Sequence, residues 1–531
     1  MAQTPVEEID ALVIGAGITG LYQLYCLRRQ GVNARIYDAA GGVGGTWYWN
    51  RYPGARLDSE SWSYAYSFSD ELLQEWDWSE SFVGQPELER YLNYVADKFE
   101  LRPHIRLNTR VKGAAFDEQA NRWRVETEAG HRARARFVIC ATGLLSAKHV
   151  PDIPGVDTFA GESFHTARWP REPVDFGGKR VGVIGVGSTG VQVITEVAKQ
   201  CGHLTVFQRT PNYCAPLRNS PIGREWMEQI KANYHEVFEG CRRTISGFIH
   251  EPDPRRTLEV PPEEREAFYE DIWQKPGFAK WFGNFSDLMI DREANELYCE
   301  FVRRKIRERV KDPEVAEKLV PKDHHFGAKR IPLETDYYET YNRDNVALVD
   351  VREDPIQRIT PRGLETRSGL HELDVLIFAT GFDALTGEVT RMDIRGVGGQ
   401  TIQEHWADGP SMYLGLQTAG FPNLFFENGG LFCNFTRCAE ATAEFVSDAI
   451  VYLRDQGFER MEADAQAERE WIEHAQSLSA KRLISDVPNW ADGSNIPGKP
   501  VALAFYGGGF KRYTDICDDV AAQGYRGFRL T

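Results

Sequence analysis

Residues 10–20 read DALVIGAGITG, and the fold turns on how they are read. The opening residues, 10–14, are an apolar run of the kind found in buried parallel strands. Gly15, Gly17 and Gly20 follow at once, and a helix is expected over 19–30, closed by Gly31. Ala34–Tyr37 then form a second strand that runs into Asp38. Glycines in this turn let a pyrophosphate approach the positive end of the helix, and an acid about 20 positions on accepts hydrogen bonds from a ribose. A Gly-rich turn in an unrelated α/β protein would share the glycines. The register of strand, turn, helix, strand and acid is what specifies a dinucleotide site.

The pattern recurs. Residues 179–184 (KRVGVI) are strand-like, and Gly185, Gly187, Ser188, Thr189 and Gly190 (GVGSTG) open a helix expected to run to about 201. The returning strand, 203–207, ends in Gln208-Arg209-Thr210, with no acid where the first unit has Asp38. A carboxylate suits a free ribose hydroxyl, whereas a guanidinium suits a 2′-phosphate through charge and a bidentate hydrogen bond. The first site is therefore expected to hold FAD and the second NADPH, which implies hydride transfer to the flavin. Arg209 as a solvated strand-end cation is the competing reading. Reduced flavin can pass its electrons to a disulfide, to another acceptor or to O₂. The first route needs a CxxC-type dithiol, and the sequence has none; spacing alone leaves the other two open.

Between the two fingerprints lies FAGESFHTARWP, residues 159–170. Its aromatic content is unusual for a linker, and the segment is expected to pack and stay put. Residues 41–61 (GGVGGTWYWNRYPGARLDSES) combine glycines with Trp47, Tyr48, Trp49 and Tyr52, a surface suited to a planar ligand, with an aromatic surface loop as the bland alternative. Asp58 alone reads equally as a turn residue or helix cap. A helix is expected over 86–101 and strands with turns over 104–143. Strands ending in Ala141-Thr142-Gly143 and Phe378-Ala379-Thr380-Gly381 suit close passage of a nucleotide. Residues 216–328 read as charged helices inserted into the second unit. Lys329 and Arg330 follow, and by position alone a loop cation is usually solvated. Residues 422–427 (PNLFFE) read as the last strand of the first unit, with helices over 439–455 and 463–475. The Pro- and Gly-rich stretch 485–500, carrying Trp490, reads as a surface loop or a mobile lid.

The 531-residue chain is too long for one core. Its formal charge of -16 disfavours nucleic acid and anionic membranes. No run is long enough for a membrane helix, and the acidic start MAQTPVEEID lacks a signal-peptide core. Nine scattered cysteines, of which Cys433 and Cys438 are the nearest pair, suggest reduced thiols in a cytoplasmic protein, and no metal-ligand spacing is present.

Taken together, the motifs resemble the type I Baeyer–Villiger monooxygenases over nearly the whole chain. Phe159, Gly161, His165, Trp169 and Pro170 match that family's FxGxxxHxxxWP pattern, flanked by both fingerprints. Gly45, Trp47, Tyr52, Pro53, Gly54 and Asp58 match its second pattern. N-oxidising relatives usually carry Phe or Tyr where Trp169 stands. The resemblance implies that NADPH reduces a noncovalent FAD, that O₂ adds to give a C4a-peroxyflavin, and that attack on a ketone passes through a tetrahedral (Criegee) intermediate to an ester or lactone. It implies a catalytic role for Arg330, positioned by Asp58; FAD contacts from Thr46, Trp47, Tyr64 and Val111; a 2′-phosphate clamp of Arg209, Thr210 and Lys329; a mobile-loop Trp490; and domain coupling by the 159–170 motif. Two departures stand out. Asp38 replaces the commoner Glu, and 428–434 (NGGLFCN) replaces a somewhat longer GP-containing loop, so substrate size does not carry over. Heteroatom oxygenation of amines or sulfides, and a non-catalytic dinucleotide sensor, are the alternatives.

The expected fold class is α/β: two Rossmann-like dinucleotide-binding domains, for FAD and NADP, with a helical insertion in the NADP domain. The FAD domain takes 1–150 and 385–531, the NADP domain 151–215 and 329–384, and the insertion 216–328. The expected partners are a ketone and O₂, without nucleic acid, membrane or metal, in a monomer or homodimer.

Overall fold

The computed structural model describes residues 6–427, 433–502 and 505–531. The opening stretch folds as β1 (Val6–Ile14), α1 (Ile18–Arg29) and β2 (Ala34–Tyr37). β3 (Ile105–Arg106), β4 (Val111–Asp117), β5 (Arg122–Thr127) and β6 (Arg132–Cys140) follow. The sheet order is β4-β5-β6-β1-β2-β3, with β1 parallel to both β2 and β6 and with β4, β5 and β6 an antiparallel meander. β1 begins earlier than its apolar run because Val6–Glu8 still pair with Arg132–Arg134 at the open end of the sheet. Its second half, Ala11–Ile14, is buried, as a parallel strand covered on both faces must be. Two later segments complete the sheet: Asp393–Arg395 beside β4 and Leu424–Phe426 beside β6.

The second sheet is wholly parallel. β7 (Ala147–Lys148) lies outside it; β8 (Glu162–His165), β9 (Arg180–Ile184), β10 (His203–Gln208), β11 (Val346–Asp350) and β12 (Val375–Phe378) stand in the order β11-β10-β9-β12-β8. The segment 159–170 is thus no free linker, because it supplies edge strand β8. α2 (Ser188–Val197) follows β9 and is one turn shorter than its apolar pattern suggests. Both fingerprints close in the same way. Gly15 and Gly185 have φ of +113° and +104°, and a Cβ on either would stand 2.4 Å from the carbonyl oxygen of Ala141 or Ala379. Each Ala-Thr-Gly strand end is therefore packed against its own glycine turn.

The two connections between the sheets run side by side. β7 pairs antiparallel with β13 (Phe382–Asp383), Lys148 facing Phe382 and Ala147 facing Asp383. The insertion holds helices Arg224–Ala232, Tyr234–Arg243, Pro262–Gln274, Arg292–Arg309 and Pro313–Leu319. At its base Ala215–Pro216 pairs with Leu333–Glu334. Three features lie outside the sequence reading: an antiparallel sheet of Ile356–Thr360, Gly363–Thr366 and Gly369–Glu372; a helix over Phe510–Ala522; and a strand pair joining Met461–Ala463 to Phe528–Leu530.

The last long helix, α3 (Phe435–Gln456), starts earlier than expected and packs on α1, where Tyr22 donates to Glu444 at 2.7 Å. Its start corrects the reading of nine thiols. Cys433 and Cys438 are joined as a disulfide, their Cα atoms 6.4 Å apart, while the other seven cysteines are free. The cause is local. Asn434 is the N-cap, so Cys433 and Cys438 take the flanking and fourth positions that a helix start brings into contact. Of the departing loop 428–434, residues 428–432 lie outside the described residues. Among the described residues, no helix is long and apolar enough to cross a membrane.

Candidate active site

Both nucleotide units open onto one cleft of about 370 Å³, within the ~300–1,000 Å³ usual for a small-molecule site. Gly15, Gly17, Asp38, Gly45, Thr46, Trp47, Asp58, Tyr64 and Val111 line it from the first unit, Ser188 from the second, and Arg330 and Trp490 from the later chain. Gly20, Gly185 and Gly190 stand behind this surface, in the packing of the turns. Asp38 is buried, accepts the Ala40 N–H at 2.6 Å and the Ala16 N–H, and has its pKa raised chiefly by burial. Trp47 Nε1 donates to the Tyr64 hydroxyl at 3.2 Å. Tyr52 donates to Gln192 of α2 at 2.7 Å, so the aromatic patch leans on the second unit.

Arg330 is where the parts meet. Its Nη1 lies 2.7 Å from Asp58 Oδ2 and 3.5 Å from Ser188 Oγ, the first residue of α2. The guanidinium stands 5.2 Å from the Phe278 ring centroid. The side chains of Arg330 and Asp58 are 24% and 19% exposed, so the pair is partly shielded yet faces the cleft. Phe278, Phe248, Phe282 and Trp281 form an aromatic wall from the insertion, with Phe248 and Phe282 stacked at 5.1 Å. The sequence reading had taken the insertion as solvated helices and missed this wall. Its only local signal was the aromatic spacing of Phe278, Trp281 and Phe282. Arg110, Arg168 and Glu388 at the other end were missed as well; Glu388 lies 3.2 Å from Arg110 and 3.7 Å from Arg168.

Arg209 and Thr210 follow the end of β10 and do not line that cleft. Lys329 is half-buried, and its pKa is lowered, first by burial and further by the nearby charge of Arg209. Arg209 acts on His149 in the same direction. Arg209 therefore stands within electrostatic reach of both Lys329 and His149. Gly187, the N-cap of α2, would carry a Cβ into open space with nothing within 4 Å. At Gly17 the nearest atom to such a Cβ is Gly45 Cα at 3.5 Å. The helix start at Gly187 faces open space and that at Gly17 only the backbone of Gly45, room of the kind a pyrophosphate requires. The donor sets fit FAD at the first turn and NADP(H) at the second.

The 159–170 motif joins the units. His165 Nδ1 accepts the Ala167 N–H at 3.0 Å, so Nε2 carries the proton and donates to the His149 carbonyl at 3.1 Å. Trp169 is buried, its ring packs against Phe164 and Phe176, and its backbone N–H donates to the Trp49 carbonyl at 3.4 Å. Thr166 touches Thr189 of the second fingerprint at 3.0 Å. Phe159 packs into the small core under the three-stranded sheet, and Pro170 sits half-buried beyond Trp169.

Segment 485–500 is a loop that reaches the cleft through Trp490. Trp490 lies edge-on to Phe505 at 6.0 Å, and Lys329 donates to the Pro488 carbonyl at 3.4 Å. Lys499 donates to Asp383 at 2.6 Å and Asn495 to the Phe382 carbonyl at 2.8 Å, anchoring the segment on β13.

A family model described as flavin-binding monooxygenase-like matches residues 10–220. The 2-oxo-Δ3-4,5,5-trimethylcyclopentenylacetyl-CoA monooxygenase of Pseudomonas putida is 47% identical over 98% of this chain and 98% of its own. The acetone monooxygenase (methyl acetate-forming) of Gordonia sp. (strain TY-5) is 44% identical over 98% and 99%. A relative with a different chemistry in its name, the phenazine N-monooxygenase PhzNO1 of Lysobacter antibioticus, is 42% identical over 100% and 98%. The crystal structure of OTEMO with FAD and NADP superposes with a TM-score of 0.96 at 46% identity, covering 99% of this chain and 100% of that one.

Proposed function

The chain belongs to the type I Baeyer–Villiger monooxygenases, and on that premise we propose which of its residues carry the reaction. It is an FAD-containing, NADPH-dependent enzyme that inserts one oxygen atom beside a ketone carbonyl to give an ester or lactone. When bound, FAD supplies the chemistry, taking a hydride from NADPH and activating O₂.

The protein's own part begins with binding. Gly15, Gly17 and the buried Asp38 would hold the pyrophosphate and ribose of FAD, while Gly45, Thr46, Trp47, Tyr64 and Val111 would flank the rest of it. Gly187, Ser188 and Thr189 would receive the NADPH pyrophosphate, and Arg209, Thr210 and Lys329 its 2′-phosphate. Arg330 puts a fixed cation at the aromatic wall, where a preoriented guanidinium stabilises negative charge on oxygen more strongly than water would. Asp58 sets the direction of that guanidinium through a charge-assisted hydrogen bond. Phe248, Phe278, Phe282 and Trp281 exclude water and accept the apolar flank of a ketone. His165 and Trp169 hold the two units in register.

The observation that carries this reading is the 2.7 Å contact of Arg330 with Asp58, which brings the insertion's wall, the first unit and the first residue of α2 to one point. O₂ as co-substrate, a cytoplasmic setting, a monomer or homodimer, and domain limits at 150, 215, 328 and 384 belong to the same proposal. N-oxygenation is the second reading, favoured by the likeness to the phenazine N-monooxygenase; Trp169-Pro170 speaks for the ketone. Incubation with NADPH, ¹⁸O₂ and paired ketone and tertiary-amine substrates separates the two. Labelled ester is expected, and N-oxide without ester would overturn the assignment.

A further inference from the structure

A line of polar side chains runs from the β10 loop to the backbone of Arg330 without lining the cleft. Asn212, just beyond Thr210, donates from Nδ2 to the Arg330 carbonyl oxygen at 3.0 Å. Its Oδ1 lies 3.4 Å from His324 Nε2, and His324 Nδ1 lies 2.7 Å from an Asp323 carboxylate oxygen. His324 is buried, its ring edge-on to Tyr213 at 5.2 Å. Asp323 is at the surface and also meets Arg352 at 3.3 Å.

Donor accounting decides what this line needs. Asn212 must present Nδ2 to the carbonyl, so Oδ1 is an acceptor. His324 faces an acceptor on each side, the Asp323 carboxylate and Asn212 Oδ1. Both contacts are hydrogen bonds only when both ring nitrogens carry protons. In the neutral ring the longer contact, to Asn212, is the one left without a proton. Burial first, then Lys329 and His325 nearby, outweigh Asp323 and hold His324 below the usual histidine range. Arg303, from the helix packed on this loop, stands 6.0 Å over the Tyr213 ring and donates to the Pro321 carbonyl. Lys329 thus opposes protonation of His324 and itself feels the charge of Arg209.

We infer that His324 and Asn212 are positioning residues for Arg330. A 2′-phosphate on Arg209 and Lys329 stabilises the second proton on His324, and the completed His324–Asn212 bond then fixes the Arg330 backbone. The inference rests on the proposed 2′-phosphate site. A phosphate brings about −1.5 to −2 charges and cancels the push of Lys329 on the imidazole. Occupancy of the NADP site would in this way set the residue that works at the flavin, through protons rather than through a moving loop.

The test uses the FAD-loaded full chain with its histidines labelled at ¹³Cε1. NMR titration of His324, assigned by loss of its signal in His324→Gln, is run alone, with 2′,5′-ADP and with 5′-AMP. The His324 midpoint is expected to rise by about one pH unit with 2′,5′-ADP and to stay put with 5′-AMP. In turnover, Asn212→Ala is expected to lower the ester formed per NADPH several-fold while 2′,5′-ADP affinity stays within about twofold. His324→Gln, whose amide donates at every pH, is expected to retain the ester yield and lose its pH dependence. A bound 2′,5′-ADP that leaves His324 unmoved, or an Asn212→Ala enzyme with full ester yield, overturns the inference alone. If 2′,5′-ADP binds no better than 5′-AMP, or ignores Arg209→Ala, the 2′-phosphate site itself is wrong and the inference falls with it.

Discussion

Replacing Arg330 with alanine is the sharpest single perturbation of this site. Three other arginines line the cleft, and each is committed elsewhere: Arg56 to Glu80 at 3.3 Å, Arg110 to Glu388 at 3.2 Å, and Arg168 to the Ser146 carbonyl at 3.1 Å. None is placed against Asp58 or Phe278, so no neighbour replaces the lost guanidinium. The variant is therefore expected to lose the whole contribution of one preoriented donor, about 2.7–4 kcal/mol, or ~10²–10³ in the rate of ester formation. Hydride transfer makes no such demand on Arg330, so flavin reduction by NADPH is expected to slow by less than about tenfold. Stopped-flow bleaching of the flavin measures the second rate, and gas chromatography of the ester against NADPH consumed measures the first. Arg330→Lys keeps the charge but not the planar guanidinium whose Nη1 meets both Asp58 and Ser188, and should fall between. If Arg330→Ala formed ester within about threefold of the parent, or lost both rates equally, the assigned role would be wrong.

Arg209→Ala is expected to raise KM for NADPH by about 10- to 100-fold, the loss of one charge-assisted contact, and to leave NADH nearly unchanged; an equal effect on both removes the 2′-phosphate argument. Gly187→Ala places its methyl in open space, so Tm should hold while NADP⁺ affinity by calorimetry drops; unchanged affinity would show that nothing passes there. Gly161→Ala is the converse. Its Cβ would meet the Asp374 carbonyl oxygen at 2.4 Å and Phe159 Cζ at 2.7 Å, so β8 should be strained by about 1–3 kcal/mol, read as a lowered urea midpoint. His165 is held down at about 4, chiefly by burial, against 6.5 unfolded. The unfolded chain binds the extra proton between those values, so stability is full above pH 6.5 and falls with pH below it, by up to roughly 3 kcal/mol at pH 4. Urea unfolding across that range should show the loss, and His165→Asn should flatten it; identical profiles would contradict the buried neutral ring.

The parts of this fold that were legible in the sequence are the ones written over short distances. The glycine turns, Asp38, Arg209 and the small-residue strand ends lie within a few residues of the strands that position them. Asp58 and Arg330 were not legible in that sense. Their contact spans most of the first unit, the second unit and the insertion, and only the family resemblance joined them. The aromatic wall was hidden for a related reason: Phe248 and Phe278 sit among charged helices whose outer faces dominate the pattern. The strand Ile356–Thr360 escaped because it is mostly half-buried or exposed, with no clean alternation to find. Asn212 and His324 gave no signal at all. One buried histidine and one loop amide, far apart in the chain, are ordinary until the fold lays them end to end.

The paired connections β7 and β13 act as a single axle for the two nucleotide halves, since neither crossing can twist without dragging the other. The Trp490 segment is bolted to that same axle by Lys499 on Asp383 and Asn495 on the Phe382 carbonyl. Loop and axle must therefore travel together. Grafting a relative's 485–500 segment to admit a bulkier ketone would also reset the angle at which the halves meet, unless the positions of Asn495 and Lys499 were kept.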